Sequence, residues 1–156
     1  RLAFEQKLLK QQQVWCSVLV EADARKPPIR REGLGAAIVD PDCSSIGRIG
    51  HSPETRLFLE MVGPSIVNRL SRLQRRALAI IVELVKRGGA IVYSTCTLTF
   101  EENEYVVKWV ADNYGVEIVE AKPWIGVPSP LDGRMQRIYP HTSKCSGGFV
   151  AKLLKV

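Results

Sequence analysis

The most constraining feature of this sequence is a single unit made of a short apolar run, a long amphipathic segment and a second apolar run. Residues 36–39 (AAIV) are wholly apolar and close at Asp40. A run of that length and composition predicts a buried strand. Between 65 and 87, Ile66, Leu70, Leu73, Ala77, Ile80 or Ile81, and Leu84 recur at three- and four-residue intervals, which predicts a helix. Lys86 and Arg87 stand in its expected last turn, and Gly88-Gly89 supply a stop. Residues 90–94 (AIVYS) then predict another buried strand. Two parallel strands joined by a helix cross over right-handed. Their carboxyl ends therefore share one rim, which is where open α/β sheets bind ligands.

The remaining pattern extends the same class. Residues 2–12 read as an amphipathic helix with Leu2, Leu8 and Leu9 apolar, and 18–21 as a strand ending near Asp23. A basic connection rich in Pro and Gly covers 26–35, and 41–53 is irregular. Thr99 and Glu102 have capping-box spacing, so a helix is expected over 101–113. A strand at 116–120, a loop at 123–134 and a final strand at 148–154 complete an α/β, mostly parallel arrangement. The 156 residues suit one domain, and 46% hydrophobic with 24% charged residues excludes a disordered or fibrous chain. The longest apolar runs, such as 77–82, are too short to span a bilayer. No secretory segment opens the sequence, and the four cysteines show no CxxC spacing. A reducing, cytoplasmic setting without a bound metal is expected. Cys16 and Cys145 read as incidental thiols.

Asp23, Asp40 and Cys96 each fall at or just past the end of an expected strand, and Cys43 lies three residues beyond Asp40. Cys96 stands in Ser94-Thr95-Cys96-Thr97, just before an expected helix N-terminus that favours an anion. Cys43 stands in Asp40-Pro41-Asp42-Cys43-Ser44-Ser45, with Arg48 and His51 close in sequence. A thiolate is a strong nucleophile at neutral pH when positive charge or strand-end geometry favours it. Asp40 can accept a hydrogen bond from an exocyclic amine or a protonated ring nitrogen. Two thiols and a carboxylate on one rim suit attack on an electrophilic ring followed by elimination. Spacing alone favours a blander account, in which both cysteines pack under loops.

The wording of the motifs shifts that balance. IVDPDCSSIGRIGHSPE, LQRRAL, LVKRGGAIVYSTCTLTFEENE and RIYPHTSKCSGGFVAKL occur in this order. Together they resemble the Sun/Fmu-type RNA (cytosine-5) methyltransferase family over about residues 18–156. The resemblance implies a Rossmann-like methyltransferase sheet, mostly parallel with an antiparallel C-terminal strand. It implies that Cys96 attacks carbon 6 of cytosine, making carbon 5 nucleophilic toward the methyl group of S-adenosylmethionine. By the same resemblance, Cys43 assists breakdown of the adduct. Asp40 holds the cytosine edge and borders the cofactor, and Asp23 contacts the cofactor's adenine. The substrate would be a flipped or single-stranded cytidine in ribosomal or transfer RNA.

Two departures stand out. Asp42 occupies the place where the family usually has proline, and its carboxylate is expected to raise the Cys43 pKa by like-charge repulsion. The family's Gly-rich cofactor loop and the acid ending its second strand have no counterpart here. Residues 1–156 are therefore expected to be a partial catalytic domain missing its first two strands, cut from a larger enzyme. The 18–21 strand would then pair directly with the 36–39 strand, or a partner polypeptide would fill the gap. Binding of S-adenosylmethionine by these residues alone should be weak or absent.

The formal net charge of +6 suits an anionic partner. Arg69, Arg72, Arg75 and Arg76 fall three or four apart on the long helix, with no acid between Glu60 and Glu83. Residues 133–156 hold five Lys or Arg and no acid. A solvated basic face is the default for such a run, and an RNA-phosphate face is the functional alternative. His141, in the Pro140-His141 block, is placed near the rim by resemblance. Asn103 and Glu104 read as capping and packing residues, and Trp15, Trp109 and Trp124 as core or loop anchors. The reading from sequence is an RNA cytosine-5 methyltransferase core acting on RNA, away from membranes. The alternative is a non-catalytic RNA-binding or scaffold module on the same fold. A DNA cytosine methyltransferase fits less well, because that class uses a Pro-Cys nucleophile and lacks the STC block.

Overall fold

A computed structural model of the chain describes residues 2–50, 52–59 and 62–156. The α/β expectation holds. Helix α1 (Leu2–Gln11) precedes a long irregular stretch, and strand β1 (Leu34–Val39) follows. A single 3-10 turn (Ile46–Arg48) and α2 (Pro53–Leu59) lead into α3 (Pro64–Leu84). Then come β2 (Val85–Thr95), α4 (Glu104–Asn113), β3 (Val116–Val119), β4 (Val127–Pro128), β5 (Gln136–Ile138), α5 (Pro140–Ser143) and β6 (Gly148–Lys155).

The strands form one mixed sheet in the order β1-β2-β6-β5-β4. Among the described residues only β1 and β2 pair in parallel, with Ala36 opposite Ala90 and Val39 opposite Tyr93. Strand β6 runs antiparallel along β2, placing Phe149 opposite Thr95. Its other side pairs with β5 near Val150 and with β3 near Leu153. The antiparallel share is larger than sequence suggests, because the short β4 and β5 arise inside segments without apolar periodicity.

Burial alternates along β2. Ile91, Tyr93 and Thr95 are buried, while Ala90, Val92 and Ser94 on the other face are only half-buried. The buried row meets Leu78 and Val82 of α3, Val106, Val107 and Val110 of α4, and Phe149, Ala151 and Leu153 of β6. The core thus lies between one face of the sheet and the helix pair α3–α4. A fully buried β1 was expected, but Gly35, Ala36 and Ile38 are exposed, Ile38 by 80%. The reason is position: among the described residues β1 pairs only with β2.

Three expectations about local structure are corrected. Residues 18–21 form no strand; Val18 is 86% and Val20 58% exposed, as befits a segment without a sheet neighbour. The helix α3 ends at Leu84, not Arg87, and the chain passes straight into β2. Gly88 and Gly89 serve a bulge between the Leu34–Val85 and Ala36–Ala90 pairs instead of a helix stop. Gly88 takes φ +74°, and a β-carbon on Gly89 would stand 2.7 Å from the Gly35 carbonyl oxygen. The buried face of α3 is also rotated from the expected stripe. It runs Val67, Ser71, Gln74, Leu78, Val82, whereas Leu73 is 47% exposed. Among the described residues, no helix is long and apolar enough to cross a membrane.

Candidate active site

Parallel pairing of β1 and β2 sends both strands toward the same rim, as the crossover argument requires. Asp40 follows β1 directly and Cys96 follows β2 directly. The turn after Asp40 brings Cys43 back over β2, so that Cys43 Sγ and Cys96 Sγ lie 2.9 Å apart. Both thiols are half-buried and neither is in a disulfide.

Three backbone contacts lock this arrangement. The Gly47 N–H donates to the Cys96 carbonyl at 3.0 Å, and the Gly147 N–H donates to the Gly47 carbonyl at 2.7 Å. A β-carbon on Gly47 would stand 2.2 Å from the Gly147 oxygen, and one on Gly148 2.8 Å from the Thr95 oxygen. These glycines let three loops touch main chain to main chain, which no larger residue permits.

A buried carboxylate pins the same loops through side chains. Glu102 accepts from the Ser44 N–H at 2.9 Å and the Ser44 hydroxyl at 2.5 Å. It also accepts from Thr99 at 2.9 Å, from Thr97 at 3.3 Å and from the Gln74 amide at 3.0 Å. The same Gln74 amide donates to the Asp42 carbonyl at 2.9 Å, and the Ser71 hydroxyl donates to the Glu101 carbonyl. Two polar residues on the buried face of α3 therefore face the rim instead of the core. The capping box expected from Thr99 and Glu102 is replaced by this network, and α4 starts later, at Glu104. Behind it, Arg137 grips Glu104 with both carboxylate oxygens, donates to the Leu98 carbonyl at 2.9 Å and lies 3.9 Å from the centre of the Phe100 ring. That buried pair holds the loop after Cys96. Asn103 receives a hydrogen bond from Thr95 and donates to the Thr97 carbonyl at 3.0 Å.

The two thiols differ in acidity. The hydrogen bond from Cys43 leads in lowering the Cys96 pKa to about 6; burial opposes it, and Ser45 and Arg48 reinforce it. The Cys43 pKa is raised, first by that same hydrogen bond, then by burial and by the charge of Cys96. Asp42 is exposed, and the leading like-charge contribution to Cys43 comes from Cys96 and not from the expected Asp42. The helix N-terminus expected to favour the Cys96 anion is also displaced: α4 begins eight residues on, so thiol, hydroxyl and guanidinium groups do that work. Asp40 is exposed at the end of β1, and its charge weakly opposes ionisation of Cys96 and of Tyr93.

The other sequence candidates are not brought to the thiols. Asp23 lies in the irregular stretch, with Arg25 gripping its carboxylate at 2.7 to 3.0 Å and lowering its pKa to about 2. Arg25 itself borders a hollow between α3 and α4, on the helical side of the sheet. Arg69, Arg72 and Arg76 are exposed on α3, but Arg75 is half-buried with its guanidinium 5.8 Å from the centre of the Trp109 ring. Of the five C-terminal basic residues, Arg137 is buried on Glu104, Arg134 pairs with Asp132, and Lys155 caps the Val85 carbonyl. His141 is exposed in α5 and stacks on Tyr139, while the neighbouring Pro140 packs beside Gly147. His51 lies outside the described residues. Trp15 is 76% exposed instead of anchoring the core.

The model of the 16S rRNA methyltransferase RsmB/F family matches residues 2–154. The chain belongs to this family. Among curated RsmB/F-type relatives, the tRNA (cytosine(72)-C(5))-methyltransferase of Pyrococcus horikoshii is 35% identical over 138 residues, 88% of this chain. The ribosomal RNA small subunit methyltransferase F of Shigella flexneri is 32% identical over 129 residues, 80% of this chain. This chain spans 34% and 26% of their respective lengths. NSun6 from P. horikoshii, solved with SFG, superposes with a TM-score of 0.86 at 33% identity, covering 100% of this chain and 39% of that one. A methyltransferase homolog protein of the same organism gives 0.80 at 27% identity, covering 99% and 50%. The RsmB/F match extends through residues 2–33, where the irregular stretch lies, as well as through the rim.

Proposed function

We propose that this chain is the cytosine-attacking part of an S-adenosylmethionine-dependent RNA cytosine-5 methyltransferase. The observation that carries the reading is the pair of thiols 2.9 Å apart with one of them ionised near neutral pH. Membership of the family and the names of its relatives support the same chemistry.

Cys96 is the nucleophile. Its thiolate adds to carbon 6 of the ring, forming an S–C6 bond and moving the electron pair toward carbon 5. Asp40, at the rim directly after β1, accepts a hydrogen bond from the exocyclic amine of the base. The covalent bond consumes the negative charge on Cys96. The hydrogen bond and the charge that hold Cys43 protonated then both weaken, so Cys43 ionises more readily inside the adduct than in the free site. Once that electron pair at carbon 5 has formed a bond to the methyl group that the donor would supply, Cys43 can take the carbon 5 proton, the C–H pair re-forms the C5–C6 double bond, and the S–C6 bond breaks, returning its electron pair to Cys96.

The residues present do not build a cradle for S-adenosylmethionine. Asp23 is engaged by Arg25, and residues 18–20 are irregular and exposed. The methyl donor would be held with polypeptide beyond these residues, in keeping with the 34% and 26% of the two curated relatives' lengths that the chain spans. NSun6 solved with SFG, an analogue of that donor, supports the cofactor class.

The test uses structured RNA, S-adenosylmethionine and the polypeptide that completes the donor site. Cys43→Ala accumulates a covalent protein–RNA adduct, visible as a slow band on a denaturing gel, whereas Cys96→Ala gives neither adduct nor methylation. Methylation by the Cys96→Ala variant would refute the assignment. RNA binding by the native chain with no adduct under any of these conditions would favour the non-catalytic module instead.

A further inference from the structure

Ser45 is a feature of the rim that the mechanism so far leaves unused. Its backbone sits at φ +57°, ψ 18°, a left-handed conformation that glycine enters freely and other residues rarely adopt. Such strain persists where the surroundings enforce it, and it gathers at functional sites. The Ser45 oxygen lies 3.4 Å from Cys96 Sγ and 3.9 Å from Cys43 Sγ. Among the described residues, these two sulfurs are the hydrogen-bond partners of its hydroxyl.

We propose that Ser45 is a further catalytic residue, whose hydroxyl donates a hydrogen bond to the Cys96 sulfur throughout the reaction. The argument is one of protonation. Cys43 stabilises the Cys96 thiolate only while it carries its own proton and points at it. In the release step Cys43 gives up that arrangement, because it must meet the proton at carbon 5. At that moment the S–C6 bond breaks and negative charge returns to Cys96. A serine hydroxyl does not ionise in the working pH range, so it is the donor that stays in place through attack and release. The hydrogen bond shifts charge without transferring a proton, so the balance of the two steps is unchanged. The strained backbone sets this hydroxyl over the thiols at the end of the Cys43 turn, and the Arg48 N–H donating to the Ser45 carbonyl at 2.9 Å holds it there. This role rests on Cys96 being the nucleophile.

The experiment is alkylation by iodoacetamide across pH, with each cysteine followed separately by peptide mass spectrometry, in the native chain and in Ser45→Gly and Ser45→Ala. In the native chain Cys96 should react with a midpoint near 6. Both variants should raise that midpoint by about one pH unit, since each removes one hydrogen bond to a charged group. Ser45→Gly should melt no lower than the native chain, because glycine relieves the backbone while losing the hydroxyl. A midpoint unmoved in both variants would overturn the proposal. A moved midpoint, combined with methylation by Cys96→Ala in the completed enzyme, would sink the nucleophile assignment and leave the hold of Ser45 on the sulfur standing.

Discussion

At the scale of single residues, Cys96 and Cys43 share a composition and differ in chemistry because of what surrounds each. A thiol that donates to its neighbour is a poor acid, and the neighbour that accepts becomes a good one. The sign of the pH dependence follows. Cys96 ionises as pH rises through about 6, so its reactivity grows from acid to neutral and is lost as pH falls below that value. Replacing Cys43 by alanine removes the leading cause of the lowered pKa. The alkylation midpoint of Cys96 should then climb by more than a unit toward the ordinary thiol range. Cys43→Ser keeps a donor and should climb less. Equal midpoints for the two variants would show that the hydrogen bond is not the cause. None of this pairing was readable in the chain, where the two cysteines are 53 positions apart. What could be read was that both belong to one rim.

At the scale of elements, the rim is held by polar groups on helices and loops whose outward signal is weak. Glu102 follows Thr99 at capping-box spacing, and that spacing hid its service as the acceptor for Ser44, Thr97, Thr99 and Gln74. Glu102→Gln turns one acceptor oxygen into a donor facing donors. It should cost about 2–4 kcal/mol in denaturant unfolding, since at least one buried group loses its partner. A loss under about 0.5 kcal/mol would mean that the network relaxes around the change. The elements themselves were more legible. The presence of helix α3 and of strands β1, β2, β3 and β6 follows from their apolar runs, although only one face of β1 is covered. The rotated face of α3 was not, because Ser71 and Gln74 look like solvent residues until the loops they bind are in place. The expected strand at 18–21 failed for a related reason: its pattern is apolar, but no neighbour in the sheet rewards extension.

At the scale of the whole molecule, the basic surplus divides into parts with different jobs. Arg137 and Lys155 are used inside the fold, Arg134 pairs with Asp132 at the surface, and Arg75 packs on Trp109 with its buried Nε lacking a hydrogen-bond partner. Arg69, Arg72 and Arg76 remain on the exposed side of α3. Replacing these three by alanine should weaken RNA binding and make the plot of log affinity against log salt shallower by about two. Arg75→Ala should lower thermal stability with little change in that slope. Identical slopes for the native chain and the triple variant would leave the α3 arginines as a solvated face.

The place of β6 in the sheet has a consequence for synthesis. This strand lies between β2 on one side and β3 and β5 on the other, and Gly147 just ahead of it and Gly148 at its start clasp the Gly47 and Cys96 loops. Chains emerge from the ribosome N-terminus first. The strands bearing Asp40 and Cys96 are therefore made long before the segment that fixes their spacing. Until that segment arrives, the two loops are joined by the Ser44, Thr97 and Glu102 side chains without the Gly147 clasp. The final spacing of the rim is therefore set last, when the Gly147 N–H reaches the Gly47 carbonyl.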